Sequence, residues 1–518
     1  MRRKIKLLFA RGLCYPCFRE KGGMDSMSSM YKGLWEKYQS KIYAYLINFV
    51  ILLVFWGGMI RRSFNADTIY HMVVSDADIF NRIKAGRYLI ALCDFLLLKL
   101  GMRTTTYSSI TMLLTLMGFA AAMTLMQELF KAWCPKEGKE RMGYCGMVTL
   151  VFLNVLFAEL LMFSEFCIYY AAGYLLAVYA VKEYANKKYV KAVIILILAA
   201  AFYQYTVIFA AVLTAFFIWM EERSLSKKAV LREVTAIAGC ILAGVLNLLS
   251  MWALKACGMF ERLDKDAGVG NLKEKCLLAL GSFERLYRDG GGILPNLFLP
   301  LFFTLFLWGM ILISCRKEKN WKILPLLALV WLGSHMLLIV IPMANETFYF
   351  PPRMSFCFYL VQGLLAAAAY VLCRQKGKAL LTAGCISYLL VQLLFSDFVV
   401  TNHFVSNALD KVYVKMAYEE ILKYEEETGN QVTKLAVVKD GYAPDHYDEV
   451  SYSVEQINER ALGTVTNSLM EVVTGRYFEP VDGEEEIIRE YFDGKDWNAL
   501  ELSEQLVILG DTAYWCIF

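Results

Sequence analysis

Charged side chains are concentrated between residues 65 and 87, directly after an apolar run that is long enough to cross a bilayer. The stretch reads NADTIYHMVVSDADIFNRIKAGR. Its carboxylates are suited to take a proton from a hydroxyl group, and its cations are suited to stabilise a departing phosphate. The charged and titratable residues are Asp67, His71, Asp76, Asp78, Arg82, Lys84 and Arg87. The stretch therefore combines the two kinds of group that transfer from a phosphate ester to a hydroxyl requires.

The three aspartates differ in how they could act as the base. Asp67 follows the first apolar run closely, which places it near the membrane surface, and we predict it as the base. Asp76 and Asp78 share a face if the chain is extended, but they diverge by about 200° on a helix. In the helical case at most one of them aims at the reaction centre, and Ser75 or Asp76 could instead cap the helix.

A divalent metal is an open alternative for the same carboxylates. The oxygens of Asp67, Asp76 and Asp78 suit Mg²⁺ or Mn²⁺. A dedicated histidine site is not expected, because the chain has four histidines and no HxxH or HxH motif. His71 could bind a metal or substrate, or assist proton transfer. Metal is optional for this chemistry, since cationic side chains can serve the phosphate.

Arginines are the predicted phosphate ligands, because a guanidinium stays charged and can donate two parallel hydrogen bonds. Arg353 follows a rigid Pro-Pro pair that fixes its approach. Arg87 follows Gly86, where a headgroup can approach the backbone closely, although Arg87 could instead form an ion pair with Asp76 or Asp78. The other candidate ligands are Arg61, Arg62, Arg82, Arg285 and Arg288.

Several of these candidates have structural alternatives. Arg61 and Arg62 could anchor the first span at the lipid headgroups. Arg285 and Arg288 lie in FERLYRDGGG, which could order over bound substrate through its glycines or could be a solvated connection.

Polar residues at two short connections complete the candidate site. Glu165 lies between two apolar runs, where a carboxylate is costly and usually functional, and we predict that it lines the cavity. Tyr203 and Gln204 could hydrogen-bond the hydroxyls of a sugar. Alternatively, they are a polar break between two short helices.

The composition is typical of a polytopic α-helical membrane protein. The chain has 518 residues, of which 58% are hydrophobic and 20% charged, and its mean hydropathy is +0.44. That is more apolar surface than one soluble core needs. A formal net charge of +4 is too small to favour nucleic acid as a partner.

Apolar runs bounded by charge predict about eleven transmembrane helices within residues 42–400. Short basic connections alternate along the chain, so the positive-inside rule places residues 1–41 in the cytoplasm as a tail. Segments 61–104 and 257–294 are then long outer loops, and the C-terminus lies outside. The predicted spans are 42–60, 105–127, 145–163, 166–182, 189–203, 205–220, 233–256, 295–314, 323–342, 354–373 and 379–399.

Residues 401–518 have the pattern of a small soluble α/β domain, which we predict to be exported and to sit over the long loops. ALDKVYVKMAYEEILKYEEETG has apolar residues at helical spacing and ends at Gly429, a natural stop. QVTKLAVVKD and QLVILGDTAYWCIF are predicted strands.

Within 61–104, the apolar stretch YLIALCDFLLLKLGM is too short to span comfortably and contains Asp94 and Lys99. We predict a helix that lies in the membrane interface. The order of first span, aspartate-bearing loop, Gly86-Arg87-x-Leu, amphipathic helix and second span resembles the GT-C glycosyltransferases. Within that group, the chain resembles the bacterial O-antigen glucosyltransferases of the type II serotype-converting kind.

The resemblance implies a GT-C-like membrane domain and a polyprenyl-phosphate-linked sugar as the donor. It implies an envelope glycan as the acceptor and an aspartate after the first span. It also implies the pattern R-x-x-x-G-R, which corresponds here to Arg82, Gly86 and Arg87. The expected location is the bacterial plasma membrane, and the expected sugar is glucose.

The predicted function is therefore transfer of a hexose to a cell-envelope glycan at the outer face of the membrane, with inversion at the anomeric centre. Two other classes compete with it. A polysaccharide transporter or lipid flippase would have interrupted helices, charges near the bilayer middle and a repeat between halves. A non-catalytic assembly factor would lack a cavity that joins Asp67 to Arg353.

Overall fold

The computed structural model describes residues 24–73, 77–133, 143, 146–259, 271–345, 347–439, 457, 459–495, 497 and 501–517. Residues 1–47 and 48–518 form two compact units, and helix α1 begins in the first. The helices up to the eleventh are α1 Met24–Trp56, α2 Ala66–Val73, α3 Ala77–Lys84, α4 Tyr88–Lys99, α5 Ser108–Leu129, α6 Ala158–Met162, α7 Cys167–Ala185, α8 Tyr189–Phe202, α9 Tyr205–Glu222, α10 Lys227–Ala256 and α11 Leu272–Asp289. Those that follow are α12 Leu299–Glu318, α13 Leu324–Leu338, α14 Val340–Ala344, α15 Pro352–Ser355, α16 Cys357–Leu372, α17 Gln375–Thr428, α18 Thr466–Thr474, α19 Glu485–Tyr491 and α20 Leu502–Gln505.

Eight helices within the described ranges are long and apolar enough to cross a membrane, which agrees with the predicted helical membrane class. They correspond to eight of the eleven predicted spans, so the count of eleven is not confirmed. The eight are Gln39–Ile60, Ser108–Leu129, Tyr205–Glu222, Lys227–Ala256, Leu299–Glu318, Trp321–Leu338, Pro352–Leu372 and Gln375–Thr428.

The three remaining predicted spans, 145–163, 166–182 and 189–203, do not form long apolar helices of this kind. Residues 150–162 form two 3₁₀ turns and the short helix α6, because the Asn154 side chain accepts from the Phe157 N–H and donates to the Val151 carbonyl. The predicted continuous helix over 145–163 is therefore wrong. Helix α7 covers 166–182 but carries five tyrosines, which lower its hydropathy. Helix α8 is apolar but has only 14 residues, roughly 21 Å at 1.5 Å per residue.

The Tyr-Gln-Tyr stretch separates α8 from α9. Tyr203 has an extended backbone, with φ −158° and ψ 118°, and helix α9 begins at Tyr205. The polar break between two helices is therefore present, and hydrogen bonding of Tyr203 and Gln204 to a sugar stays a prediction.

Segment 61–104 contains three helices, α2 to α4, as the sequence led us to expect for its second half. On α4, Leu92, Phe95 and Leu96 are exposed, whereas Ala91 and Asp94 are buried. This distribution fits a helix with one face toward lipid.

Segment 257–294 contains the helix α11, which we did not predict. Its last residue, Asp289, accepts a hydrogen bond from the Gly292 N–H at 2.6 Å through Oδ1. Gly290, Gly291 and Gly292 all have positive φ, from 64° to 97°. The glycines predicted as a hinge therefore form the turn that ends a helix.

Helix α17 joins the membrane part to the C-terminal region. Its 54 residues extend roughly 80 Å at 1.5 Å per residue, well beyond a bilayer core of roughly 30 Å. It ends at Gly429 in the left-handed conformation, as predicted. The strands that follow are β1 Lys434–Lys439, β2 Glu479–Val481, β3 Leu506–Leu509 and β4 Thr512–Ile517.

The four strands form one sheet in the order β2-β1-β4-β3. Strand β1 confirms the strand predicted in QVTKLAVVKD, whereas QLVILGDTAYWCIF, predicted as one strand, forms the two strands β3 and β4. Strand β1 pairs in parallel with β2 and β4, and β3 pairs with β4 antiparallel. One apolar core joins this region to segment 61–104, since Phe64 and Ile69 pack with Leu462 and Trp515. The C-terminal region therefore packs on helix α2.

Candidate functional site

The Phe166 ring is the common contact of three predicted site residues. Phe166 is buried in the turn between α6 and α7. The guanidinium carbons of Arg82 and Arg87 lie 5.0 and 5.3 Å from its ring centroid, and the His71 ring centroid lies at 5.8 Å. Cations are attracted to an aromatic face at this distance. The ring therefore gathers residues from α2, α3 and the turn before α4.

Arg82 is part of a buried ion pair. Its guanidinium donates to Asp94 Oδ2, and the Tyr169 hydroxyl donates to Asp94 Oδ1 at 2.5 Å. The Arg82 and Asp94 side chains are 11% and 8% exposed. The pair fixes α3 against α4 and α7, so Asp94 has a structural role.

Gly86 and Arg87 lie in a turn between α3 and α4. Two side chains from later in the sequence donate hydrogen bonds to the backbone of this turn. The Gln204 amide donates to the Ala85 carbonyl, and Asn247 Nδ2 donates to the Gly86 carbonyl at 3.0 Å. Gly86 has φ +70°, a conformation that favours glycine. Gln204 therefore positions the turn that precedes Arg87.

Arg87 lies between two aromatic rings and has no carboxylate partner among the described residues. Its guanidinium carbon is 5.8 Å from the Tyr203 ring centroid, on top of its contact with Phe166. Arg87 Nε is buried and has no acceptor among the described residues. Asp76 lies outside the described residues and the Asp78 side chain is not described, so the predicted pairing of either with Arg87 stays a prediction.

Arg353 is neutralised by Glu159. Its guanidinium and its backbone N–H both donate to the Glu159 carboxylate, which is fully buried on α6. The Arg353 carbonyl accepts from the Tyr203 hydroxyl at 3.5 Å. Tyr203 thus has Arg87 against its ring and Arg353 at its hydroxyl, so the two arginines predicted to hold phosphate are neighbours.

A pocket of about 40 Å³ lies beside this cluster. A water needs roughly 10–15 Å³, so the pocket holds a few waters or a hydroxyl-bearing group rather than a whole hexose. Glu165, in the turn before α7, lines the pocket, and His71 lines it from α2. Neither Asp67 nor Arg353 lines it. The lining residues are His71, Arg82, Asp94, Leu97, Leu98, Met102, Arg103, Thr104, Thr105 and Glu165.

Glu165 is one of two buried carboxylates of this pocket, and the other, Asp94, is paired with Arg82. Its Oε2 accepts from the Thr68 hydroxyl, and its Oε1 lies 3.9 Å from His71 Nε2. Oε1 has no hydrogen-bond partner among the described residues. Burial raises the pKa of Glu165, and the charge of His71 opposes that rise.

Asp67 lies in the first turn of α2, where Asn65 caps the helix by accepting from the Thr68 N–H at 2.9 Å. Asp67 is half-buried, and no hydrogen bond or ion pair of its carboxylate is present in the described part of the chain. Among the described residues, no three His, Cys, Asp or Glu side chains form a group able to hold a metal. The metal ligand set of Asp67, Asp76 and Asp78 falls partly outside the described residues.

The other predicted arginines make contacts elsewhere. Arg61 is exposed over the Phe404 ring, at 5.0 Å, and Arg62 is exposed. Arg285 is exposed and donates to the Gly291 carbonyl at 3.4 Å. Arg288 pairs with Glu284, at 2.7 Å. Arg285 and Arg288 thus lie on helix α11 rather than in a solvated connection, and anchoring of Arg61 and Arg62 at headgroups stays a prediction.

Asn247 was missed by the sequence analysis. It interrupts the apolar run LAGVLNLLSM of α10, and a polar side chain within such a run is costly, so that interruption was the available signal. The Glu159–Arg353 pair was missed as a pair, because its members are 194 positions apart.

Comparisons with known proteins give no relative: no family model, curated protein or solved structure matches the chain. The functional argument therefore depends on the site.

Proposed function

We propose that the chain is an integral-membrane glycosyltransferase. It moves a hexose, by resemblance glucose, from a polyprenyl-phosphate carrier to a hydroxyl of an envelope glycan at the outer face of a bacterial plasma membrane. A carboxylate takes the proton of the acceptor hydroxyl, and the anomeric centre inverts as the phosphate leaves.

The observation that carries this proposal is the environment of the Arg87 guanidinium. Four arginines lie in this region. Arg82 pairs with Asp94, Arg353 pairs with Glu159, and Arg103 donates to the Met72 carbonyl. Arg87 has aromatic faces, and its buried Nε has no acceptor among the described residues. A partly buried cation without a counter-charge favours binding of an anion, and guanidinium suits phosphate.

The surroundings of Arg87 support a sugar phosphate rather than a free inorganic anion. Aromatic rings such as Phe166 and Tyr203 offer apolar faces next to the cation. The pocket lined by Glu165 and His71 offers hydrogen-bonding groups for hydroxyls, and the His71 ring contacts Phe166. Phosphate and hydroxyl groups would thus be met by separate parts of one site.

The test is to reconstitute the purified chain in liposomes with polyprenyl-phosphate-[¹⁴C]glucose and isolated envelope glycan. We expect label to move from the lipid to the glycan. Arg87→Gln should lower kcat/KM by roughly 10²–10³, the usual loss for one removed donor to developing charge. Arg489→Gln is the matched control, because Arg489 is exposed on α19.

Other outcomes separate the rival classes. Intact labelled donor crossing to the opposite leaflet, without cleavage, would indicate a flippase. No cleavage and no crossing would favour the assembly factor. Equal activity of Arg87→Gln and Arg489→Gln would remove Arg87 from phosphate binding.

A further inference from the structure

We propose that Glu165, rather than an aspartate of segment 61–104, accepts the proton of the attacking hydroxyl, with His71 as the partner that sets its charge. This inference rests on the proposed function and names the base of the same site. The acceptor hydroxyl would enter the pocket between α2, α4 and the turn before α7.

The geometry of the carboxylate carries the inference. The Glu165 side chain is 2% exposed, and the Thr68 hydroxyl holds one of its oxygens. The other oxygen, Oε1, accepts no hydrogen bond among the described residues, and Glu165 lines the pocket. A buried carboxylate oxygen without a donor is costly unless a ligand supplies one. A hydroxyl group is such a donor.

The pocket has the size and lining for that hydroxyl. Its volume of about 40 Å³ admits a hydroxymethyl or a secondary alcohol, not a ring. Arg103 lines it and donates to the Met72 carbonyl at 2.9 Å, which holds the wall closed on that side. The acceptor hydroxyl would therefore meet Glu165 at the mouth of the pocket, with both sugar rings outside, where the anomeric carbon of the donor can lie against the acceptor oxygen.

Asp67 meets these requirements less well. It is half-buried and does not line the pocket. Thr68 and His71, which follow it on α2, are the residues that contact Glu165. Helix α2 thus presents the Thr68 hydroxyl and the His71 imidazole to Glu165. The hydroxyl orients the carboxylate, and the imidazole offsets its charge.

The titration of Glu165 depends on several neighbours. Burial raises the pKa of Glu165, whereas His71 and Arg82 oppose the rise. A base must be deprotonated, so the rate should increase with pH through that pKa. The titratable and charged groups that face Glu165 or share its pocket are His71, Arg82, Asp94, Arg103, Cys167 and Tyr170.

The proposed step balances as a single displacement. The acceptor O–H bond breaks and its proton moves to Glu165 Oε1. The acceptor oxygen forms a bond to the anomeric carbon as the bond from that carbon to the phosphate oxygen breaks. The electron pair leaves on polyprenyl phosphate, whose charge Arg87 stabilises.

The experiment uses the full chain in liposomes with polyprenyl-phosphate-[¹⁴C]glucose and isolated envelope glycan, at pH 4.5–9. Glu165→Gln should lower kcat by roughly 10²–10⁴, with donor binding unchanged, and should remove the acidic limb of the pH profile. Glu427→Gln, on the exposed end of α17, is the matched control. His71→Gln removes a charge that lowers the pKa of Glu165, so the acidic limb should move to higher pH.

Retention of kcat within about tenfold by Glu165→Gln, or loss in Asp67→Asn with normal transfer in Glu165→Gln, would overturn the role of Glu165. If Glu165→Gln fails to bind the donor, the pH profile of His71→Gln tests the inference instead. An acidic limb at the same pH as in the parent chain would reject the inference. A parent chain that transfers no label at all would refute the proposed function itself.

Discussion

The turn at Gly86 gives a test of the site that does not depend on activity. Gly86 has φ +70°, and a Cβ there would lie 2.6 Å from Met251 Sδ and 2.7 Å from Asn247 Oδ1 and Gln204 Nε2. The left-handed conformation costs a non-glycine residue about 1–2 kcal/mol. Crowding in a packed site adds about 1–3 kcal/mol. Gly86→Ala should therefore lower the free energy of unfolding by about 2–5 kcal/mol.

Gly101 is the matched control for this substitution. It also has φ +70°, but no heavy atom lies within 4 Å of a Cβ built there. Gly101→Ala should lower the free energy of unfolding only by the cost of the left-handed conformation, about 1–2 kcal/mol. The difference between the two variants isolates the crowding around residue 86.

The assay is SDS unfolding in mixed micelles, followed by far-UV circular dichroism, with both variants measured against the parent. Gly86→Ala should also weaken donor turnover, because Arg87 follows it directly. Equal unfolding free energies for the two variants would refute the reasoning that Gln204, Asn247 and Met251 pack on this turn.

Three further predictions use the same unfolding assay. Asp94→Leu removes the carboxylate of a buried ion pair with Arg82, so it should cost about 3–5 kcal/mol, and adding Arg82→Met should recover part of that loss. Asn65→Ala removes the acceptor of the Thr68 N–H and should cost about 1 kcal/mol, whereas Asn65→Asp should stay close to the parent. Burial raises the pKa of Glu165 above its ordinary 4.5, so the folded chain keeps a proton that the unfolded chain loses. Stability should therefore fall as pH rises from 4.5 through the folded pKa, and Glu165→Gln should flatten that slope; an unchanged slope would mean that Glu165 is not buried.

Helices and strands were predictable where one local feature of the sequence, such as a glycine stop or a run of β-forming residues, dominated. The end of α17 at Gly429 and the strands around Leu435 and Trp515 follow from residue order alone. The span over 145–163 failed because Asn154 satisfies its side chain on neighbouring backbone groups, which competes with a continuous helix. Helix α11 was missed because the charges of its segment were read as a loop, although its apolar residues have helical spacing.

Contacts between distant parts of the chain were not predictable in the same way. The sequence brings Asp67, Arg82 and Arg87 into one segment, but it does not say which carboxylate faces which arginine. Glu159 pairs with Arg353 across 194 positions, and only the folded chain reveals that pairing. The identity of Glu165 as the carboxylate at the pocket likewise depends on how α2 packs on the turn before α7.

The pairing of each arginine changes the chemistry available to it. A guanidinium that already has a carboxylate gains little from a second anion, because the local charge is balanced. Arg82 and Arg353 have such partners; the Arg82 guanidinium also contacts the Phe166 ring, and the Arg353 carbonyl accepts from the Tyr203 hydroxyl. Arg87 contacts both rings and has no carboxylate partner among the described residues. Its charge is therefore the one that we propose meets the anionic leaving group.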